Sequence, residues 1–353
     1  MNIQTTLTKS PKALPPSDKL GFGQFFTDHM FLIKHSEDKG WFDPQILPYG
    51  PLSVDPGASV FHYGQALFEG MKAFRQPDGN VVLFRPEFNH ARLQEGAERL
   101  CLQAPPLEVF MNGLKELVKV DERWIPRESN TSLYIRPTLI GTEAFLGVRP
   151  SRETLFYILL SPVGSYYAEG TKPIKIWTEE KYLRAAPGGL GHVKAGANYA
   201  SSLKAALEAK KKGYAQVLWL DVTHEGIEEV GTMNVFFVFK NEIVTPALNG
   251  SILSGGTRDA ILQLLRAKNL PVVERRVTIS EVIEQLQKGD LVEAFGTGTA
   301  AVISPIGHLH YKGHDWEINK GENGPLSNQL YSEITAIQSG RAPDKHGWIQ
   351  PLK

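Results

Sequence analysis

The stretch Pro187-Gly188-Gly189-Leu190-Gly191-His192-Val193-Lys194-Ala195-Gly196-Ala197-Asn198-Tyr199 sets one lysine among glycines and alanines, just ahead of a helix. Small neighbours let another body approach the amine, and a lysine drawn out of water loses proton affinity and can form a Schiff base. A solvated lysine in a Gly-rich loop fits the same residues. A second stretch, Glu228-Glu229-Val230-Gly231-Thr232-Met233-Asn234, runs into the apolar strand 235–239. A carboxylate pointing inward there needs a positive partner. A protonated pyridine nitrogen would serve; a surface turn with two acids is the plainer alternative. Ser254-Gly255-Gly256-Thr257-Arg258 opens a helix, where free amides and the positive dipole end make either an anion site or an ordinary N-cap. Gly296-Thr297-Gly298-Thr299-Ala300 follows an apolar run and offers amides and hydroxyls, or is a plain turn. It is not a dinucleotide fingerprint, because a β-like segment follows it, and the chain has no G-x-x-x-x-G-K-[ST] loop. Together, a Schiff-base lysine, an acid for a pyridine nitrogen and two phosphate-binding turns are what pyridoxal 5′-phosphate requires. Arg85, ahead of Pro86, is a candidate for its phosphate.

These groups need scaffolding, and the pattern of the chain supplies it in two halves. In the first, Asp78-Gly79-Asn80 signals a hairpin ending in the run 81–84. Pro86 starts a helix that reaches about Leu100. A second helix covers 107–120, and β-rich runs follow at 132–140 and 154–160. In the second half, helices are expected at 198–212, 257–268 and 281–287, with Gly213 and Gly289 as stops. Thr278 and Glu281 have capping-box spacing. Strands are expected at 216–221, 235–239, 272–277, 291–295 and 301–303. Helices and strands alternate without a strict βαβ rhythm, which favours a mixed α+β fold over a doubly wound sheet. Residues 1–19 read as a loose tail. The Pro- and Gly-punctuated loop 165–177, with Tyr166 and Tyr167, divides a domain 1–164 from a domain 178–353.

Composition narrows the function. A chain of 353 residues suits two domains. Lys and Arg total 38, as do Asp and Glu, so there is no broad basic field for nucleic acid. Lys210-Lys211-Lys212 is only the basic end of one helix. The single cysteine, Cys101, excludes an internal disulfide and a Cys-built zinc site and points to a reducing, cytoplasmic setting. It reads as a buried small hydrophobe. No stretch approaches the ~18 apolar residues of a membrane span. His308, His310 and His314 lack a further ligand at fixed spacing, so no metal is expected and the segment reads as surface or interface.

Eight ordered segments resemble the branched-chain amino-acid aminotransferases, of fold type IV among pyridoxal-phosphate enzymes. They are Phe26-Thr27-Asp28-His29-Met30, Leu67-Phe68-Glu69-Gly70-Met71-Lys72-Ala73-Phe74, Leu83-Phe84-Arg85-Pro86, Tyr134-Ile135-Arg136-Pro137-Thr138, Gly141-Thr142-Glu143, Lys194-Ala195-Gly196-Ala197-Asn198-Tyr199, Glu229-Val230-Gly231-Thr232-Met233-Asn234 and Phe295-Gly296-Thr297-Gly298-Thr299-Ala300. The long form of the first two is more similar to the mitochondrial-like and long bacterial branch. The resemblance implies a two-domain fold like that of D-amino-acid aminotransferase, with a small α/β domain and a larger, mixed, barrel-like one. It implies Lys194 as Schiff-base lysine and proton shuttle, Tyr199 on the cofactor's phenolic oxygen and Glu229 on its pyridine nitrogen. Arg85, Gly256, Thr257 and Thr299 would hold the phosphate. Glu228 matches no family role and is expected at the surface.

For the substrate, the resemblance implies α-carboxylate contacts from Thr232 and from the backbone at Thr299 and Ala300. Phe22, Tyr63, Phe68, Tyr134 and Tyr166 would wall the side-chain pocket, with Arg136 receiving the γ-carboxylate of glutamate. An aromatic wall with one polar exit accommodates both leucine and glutamate. Leu146 and Val148 match a loop that completes the partner subunit's pocket, so a homodimer is implied. The implied reaction is reversible transfer of the amino group from L-leucine, L-isoleucine or L-valine to 2-oxoglutarate. D-amino-acid aminotransferases and aminodeoxychorismate lyases share the lysine and the acid; Tyr134-x-Arg136 and the aromatic wall speak against them. A non-catalytic relative that binds a phosphate ligand is disfavoured by the intact Lys194 and Glu229. Mammalian members carry a redox Cys-x-x-Cys where this chain has Ala301 and Ser304, so no thiol switch of that kind is expected.

Overall fold

The computed structural model describes residues 2–164 and 172–353. Tyr166 and the part of the expected interdomain loop before Lys172 lie outside them. The described residues divide into two units. One holds those before 165 with Val193–Gly196 and Thr335–Lys353; the other holds those from 172 to His192 and Ala197–Ile334. A single cut at 165–177 therefore does not describe the chain, because two later stretches group with the first unit.

The first unit is built on strands β1 (Gln4–Thr5), β2 (His29–Ser36), β3 (Gly40–Pro48), β4 (Ala66–Phe68), β5 (Met71–Arg75), β6 (Val81–Phe84), β7 (Ser132–Gly141) and β8 (Glu153–Val163), with helices α1 (Ser59–Tyr63), α2 (Pro86–Arg99) and α3 (Leu107–Val120). The sheet runs β1-β3-β2-β8-β7-β5-β6, with β4 beside β7. The expected hairpin joins β5 to β6, and both expected helices are present. Helix α3 buries Phe110, Leu114, Leu117 and Val118, a spacing that makes one apolar face. Phe110 meets Phe156 of β8 at 5.8 Å between ring centroids, and Phe156 meets Phe31 of β2 at 6.4 Å. The core thus lies between α3 and the middle of the sheet.

Two expectations fail here. Residues 2–19 are docked rather than loose. Strand β1 pairs with β3. Thr8 N–H donates to His29 Nε2 at 2.9 Å, and Lys12 N–H donates to Asp28 Oδ1 at 2.9 Å. The prolines stop helix formation, but the backbone donors between them still find buried acceptors. Cys101 is exposed. It has φ 52° and lies past the end of α2, so the chain turns there and carries the thiol outward.

The second unit has strands β9 (Ile174–Thr178), β10 (Gln216–Leu220), β11 (Ile227–Val230), β12 (Asn234–Phe239), β13 (Ile243–Pro246), β14 (Val272–Arg275), β15 (Leu291–Gly298), β16 (Val302–Tyr311) and β17 (His314–Glu317). Its helices, apart from the extreme ends of the first and last, are α4 (Gly196–Lys211), α5 (Gly256–Ala267), α6 (Ile279–Lys288) and α7 (Pro325–Gln338). The sheet order is β11-β10-β9-β16-β15-β12-β13-β14, with β17 beside β16. The two-residue turn Gly231-Thr232 passes the chain straight from β11 to β12, closed by Val230 and Met233. The first strand of the path thus lies next in the chain to its sixth, and the sheet curls as a half-barrel. Thr278 caps α6, its Oγ1 accepting the Glu281 N–H at 3.1 Å. The expected strand 301–303 is the start of the much longer β16. His310 on β16 stacks on Trp177 at 4.2 Å and faces Asp315 at 2.9 Å. Finally β18 (Ile349–Pro351) pairs with β6 in the first unit's sheet.

Asp28 ties the N-terminal segment down. It accepts from Lys12 N–H, from Trp124 Nε1 at 2.9 Å and from Arg123 Nη2 at 2.5 Å. Burial alone would raise its carboxyl, but these donors outweigh burial and hold it below the usual carboxylate range. The stabilisation is therefore complete above the ordinary aspartate pKa of about 3.9 and fades as pH falls through the lower folded-state value. Asp28→Ala should cost about 1–3 kcal/mol and open residues 2–19 to limited proteolysis at neutral pH. Equal cleavage rates in variant and parent would contradict this docking.

Candidate active site

In the first unit, Lys194 is held against β4. Phe68 N–H donates to the Lys194 carbonyl at 3.2 Å, and Leu67 bridges to Ala195. The Lys194 Nζ lies 4.9 Å from the centre of the Phe68 ring. The same ring carries the Arg136 guanidinium at 4.6 Å. Arg136 Nη2 donates to Tyr134 Oη at 2.9 Å, and Tyr134 packs edge-on to Phe22 at 4.8 Å. Five expected residues (Phe22, Phe68, Tyr134, Arg136 and Lys194) thus come together. Gly70 makes room for them, since a Cβ there would sit 2.1 Å from Tyr134 Oη. Arg136 keeps a buried Nε with no partner among the described residues, which suits an incoming acceptor.

The unit's other expected residues sit at the end of α1, just ahead of α2 and on the loop between β7 and β8. Tyr63 donates its hydroxyl to the Leu146 carbonyl. Leu146 and Val148 are 65% and 86% exposed. Their loop is braced, with Arg149 Nη2 on Glu143 Oε1 at 2.5 Å and Arg152 N–H on Glu143 Oε2 at 3.0 Å. Arg85 is the N-cap of α2, at φ 53°, with its guanidinium 4.7 Å from the Phe88 ring.

Glu69, which sequence reasoning misses, is fully buried within reach of the Lys194 charge. Arg92 clasps it with Nε on Oε1 and Nη2 on Oε2, both at 2.7 Å, and Asn89 adds a third bond at 2.7 Å. Burial raises its carboxyl; Arg92 above all, then the Lys194 charge and Asn89, pull it below the usual range. The signal was present in the sequence. An acid inside the apolar run 67–74 needs partners, and Asn89 and Arg92 stand three apart on one helix face. Lys72, opposite Tyr134 in the ladder, is buried too, and loss of hydration pulls its ammonium down to about 8.

In the second unit, Glu229 is buried on β11. Its Oε1 accepts the Leu253 N–H at 2.8 Å, and its Oε2 pairs with Arg184 Nε at 3.1 Å. Glu228 corrects the sequence reading: it is 1% exposed. Its Oε1 meets the Ser251 hydroxyl and accepts from Asn249. Thr232 is exposed in the turn after β11, and Tyr199 sits in the first turns of α4.

The turn expected to hold the phosphate lies where α5 begins. Gly255 is its N-cap, with no side-chain cap, and Gly256 and Thr257 follow. Asn234 fills the space that a Gly255 side chain would need, its Oδ1 lying 2.0 Å from an ideal Cβ, while its Nδ2 donates to the Leu253 carbonyl at 2.8 Å. Thr297, opposite Asn234 on β15, has a buried Oγ1 without a partner among the described residues. Thr299 and Ala300 form the turn into β16, and Val302 leaves that turn at φ 61°. That is the left-handed region, costly for a β-branched residue.

Residues 66–309 match the family described as Amino-transferase class IV. The chain is 52% identical over 349 residues to Branched-chain-amino-acid aminotransferase 2 of Bacillus subtilis, covering 99% of this chain and 96% of the relative. Among solved structures, the Escherichia coli branched-chain amino acid aminotransferase aligns with TM-score 0.77 and 26% identity, over 92% of this chain and 99% of that one. The branched-chain amino acid aminotransferase from Thermobaculum terrenum in its PLP form shares the fold, with TM-score 0.73 and 24% identity over 92% and 98% of the two chains.

Gly255→Ala forces the Asn234 side chain off the Leu253 carbonyl. The expected loss is about 1–3 kcal/mol of stability, measured as a lower denaturation midpoint. A midpoint equal to the parent's would show that the contact is soft.

Proposed function

The chain belongs to the class IV aminotransferases, and among them to the branched-chain amino-acid aminotransferases, and from that premise we propose how its own residues divide the work. It is a pyridoxal 5′-phosphate enzyme that moves amino groups between small-molecule amino acids and oxo acids. The reading for its substrates is L-leucine, L-isoleucine or L-valine as donor and 2-oxoglutarate as acceptor, in both directions.

The residues suit that cofactor. Thr297 offers an unpartnered buried hydroxyl, and α5 opens on two glycines with no side-chain cap, as a phosphate site requires. Gly256, Thr257, Thr299 and Arg85 would hold the phosphate, and Tyr199 the phenolic oxygen. Glu229 would keep a proton on the pyridine nitrogen, with Arg184 and the Leu253 amide fixing its carboxyl in place. When bound, pyridoxal phosphate supplies a carbonyl carbon that takes up the amino group and a ring that spreads the charge left at the substrate's α-carbon. Lys194 Nζ takes the α-proton and holds it for return, a role for which the Phe68 ring gives it a fixed position. Phe22, Phe68 and Tyr134, with Tyr63, wall the side-chain pocket and exclude water. The unpartnered Arg136 Nε, the observation that carries the substrate reading, gives an acidic side chain a buried cation to meet. Thr232 and the turn at Thr299 and Ala300 would orient the α-carboxylate.

The reading extends to a cytoplasmic homodimer. Leu146 and Val148 stand exposed on a braced loop, which supports a second copy covering them. The lone cysteine agrees with a reducing compartment. No helix of the described residues is long and apolar enough to cross a membrane.

Purified protein is expected to carry a near-visible absorption band that L-leucine removes, 2-oxoglutarate restores and D-leucine leaves alone. Lys194→Ala should lose at least about 10²–10⁴-fold in turnover. An unaltered rate in that variant, or a band indifferent to L-leucine, would overturn the reading. Arg136→Leu should lower kcat/KM for L-glutamate about 10- to 100-fold more than for L-leucine; equal losses for both would remove Arg136 from substrate selection.

A further inference from the structure

Glu228 is a buried acid that the chemistry above leaves unused. Its Oε2 has no hydrogen-bond partner among the described residues. Its Oε1 meets the Ser251 hydroxyl and lies 3.3 Å from Asn249 Nδ2. Ser251 has a single hydroxyl proton but two oxygens in reach, because Asn249 Oδ1 stands 2.7 Å away. A protonated Glu228 resolves the conflict: its O–H donates to Ser251, and Ser251 donates to Asn249. Burial first, and the nearby Asp221 charge after it, push this carboxyl above the usual range against the opposing pull of Ser251, Asn249 and Arg184.

The contact leads to the turn 249–253, which fixes Glu229 from two directions. The Ser251 carbonyl accepts from Arg184 Nη1 at 2.8 Å, and Arg184 Nε pairs with Glu229. Leu253 N–H donates to the other oxygen of Glu229. The Gly250 carbonyl meets His192 Nδ1 at 3.1 Å. The turn has no slack, since a Cβ on Gly191 would lie 2.1 Å from the Ser251 carbonyl oxygen. Neighbouring side chains on a strand point to opposite faces, so Glu228 and Glu229 grip one turn from two sides.

We propose that Glu228 is a positioning residue: through Ser251 it locks the turn 249–253 and thereby sets the orientation of the Glu229 carboxylate toward the pyridine nitrogen. The inference rests on the proposed role of Glu229 and adds to it. Glutamine both donates and accepts, so it can replace a neutral acid; leucine cannot.

The test compares holoenzymes carrying Glu228→Gln, Glu228→Leu, Ser251→Ala and Glu229→Gln. Three quantities are read: the wavelength of the bound-cofactor band, cofactor loss on dialysis, and the unfolding midpoint. Glu228→Leu and Ser251→Ala should shift the band and weaken cofactor retention roughly tenfold, and Glu228→Gln should restore both to within about twofold. If Glu228→Leu does not fold, Ser251→Ala alone decides. A lower unfolding midpoint with an unmoved band and unchanged retention makes Glu228 an ordinary core residue and overturns the proposal. If Glu229→Gln also leaves the band unmoved, the pyridine-nitrogen role itself fails and takes the proposal with it.

Discussion

A carboxyl group withdrawn from water must be surrounded by hydrogen-bond partners, and this chain meets that demand repeatedly. Glu69 is clasped by Arg92 and Asn89, and Glu229 by Arg184 and the Leu253 amide. Asp28 takes Arg123, Trp124 and the Lys12 amide, while Glu293 takes the Leu326 and Ser327 amides at the start of α7. Much of the irregular backbone is there to deliver these donors. The N-terminal segment, the turn 249–253 and the entry to α7 each end on a buried acid. Removing one partner would leave a charge stranded in low dielectric, so each acid fixes its surroundings more firmly than an apolar residue would.

The same economy explains the strained and glycine positions. Arg85 adopts φ 53° at a helix start and Val302 adopts φ 61° after a turn. Each costs of order 1–3 kcal/mol, and both lie at segments proposed to hold the phosphate or the turn that orients substrate. Gly70 and Gly255 allow Tyr134 and Asn234 to come closer than any side chain would permit. The units are held rigid elsewhere by ordinary means: ring contacts around Phe156 in one, stacked Phe236 and Phe295 at 5.3 Å in the other.

Most helices were legible because their cues are local. Pro86 at a helix start, the apolar spacing of 107–120 and the Thr278 cap each report on a few neighbouring residues. What was hidden depends on long-range partners. The N-terminal segment has no periodicity of its own, and only the distant acceptors Asp28 and His29 reveal its place. Glu228 looked like half of an exposed acidic pair, because nothing near it in sequence announces Ser251. Glu69 lies in the run 67–74, yet its role needs Arg92, on another element. Cys101 was misplaced because a left-handed turn after α2 cannot be read from composition. The lysine, the paired acid and the glycine turns stood out because their residue types are unusual in their settings, and those residues carry the proposed chemistry.

The central claim is that Glu229, held in place by Arg184 and the Leu253 amide, keeps the cofactor's pyridine nitrogen protonated while Lys194 moves the substrate proton. Nitrogen-15 NMR of the enzyme reconstituted with ring-labelled pyridoxal phosphate tests this directly. The account predicts a protonated-pyridine shift that holds across neutral and mildly alkaline pH in the parent and moves to the unprotonated position in Glu229→Gln. An unprotonated nitrogen in the parent, or the same shift in both proteins, would contradict it.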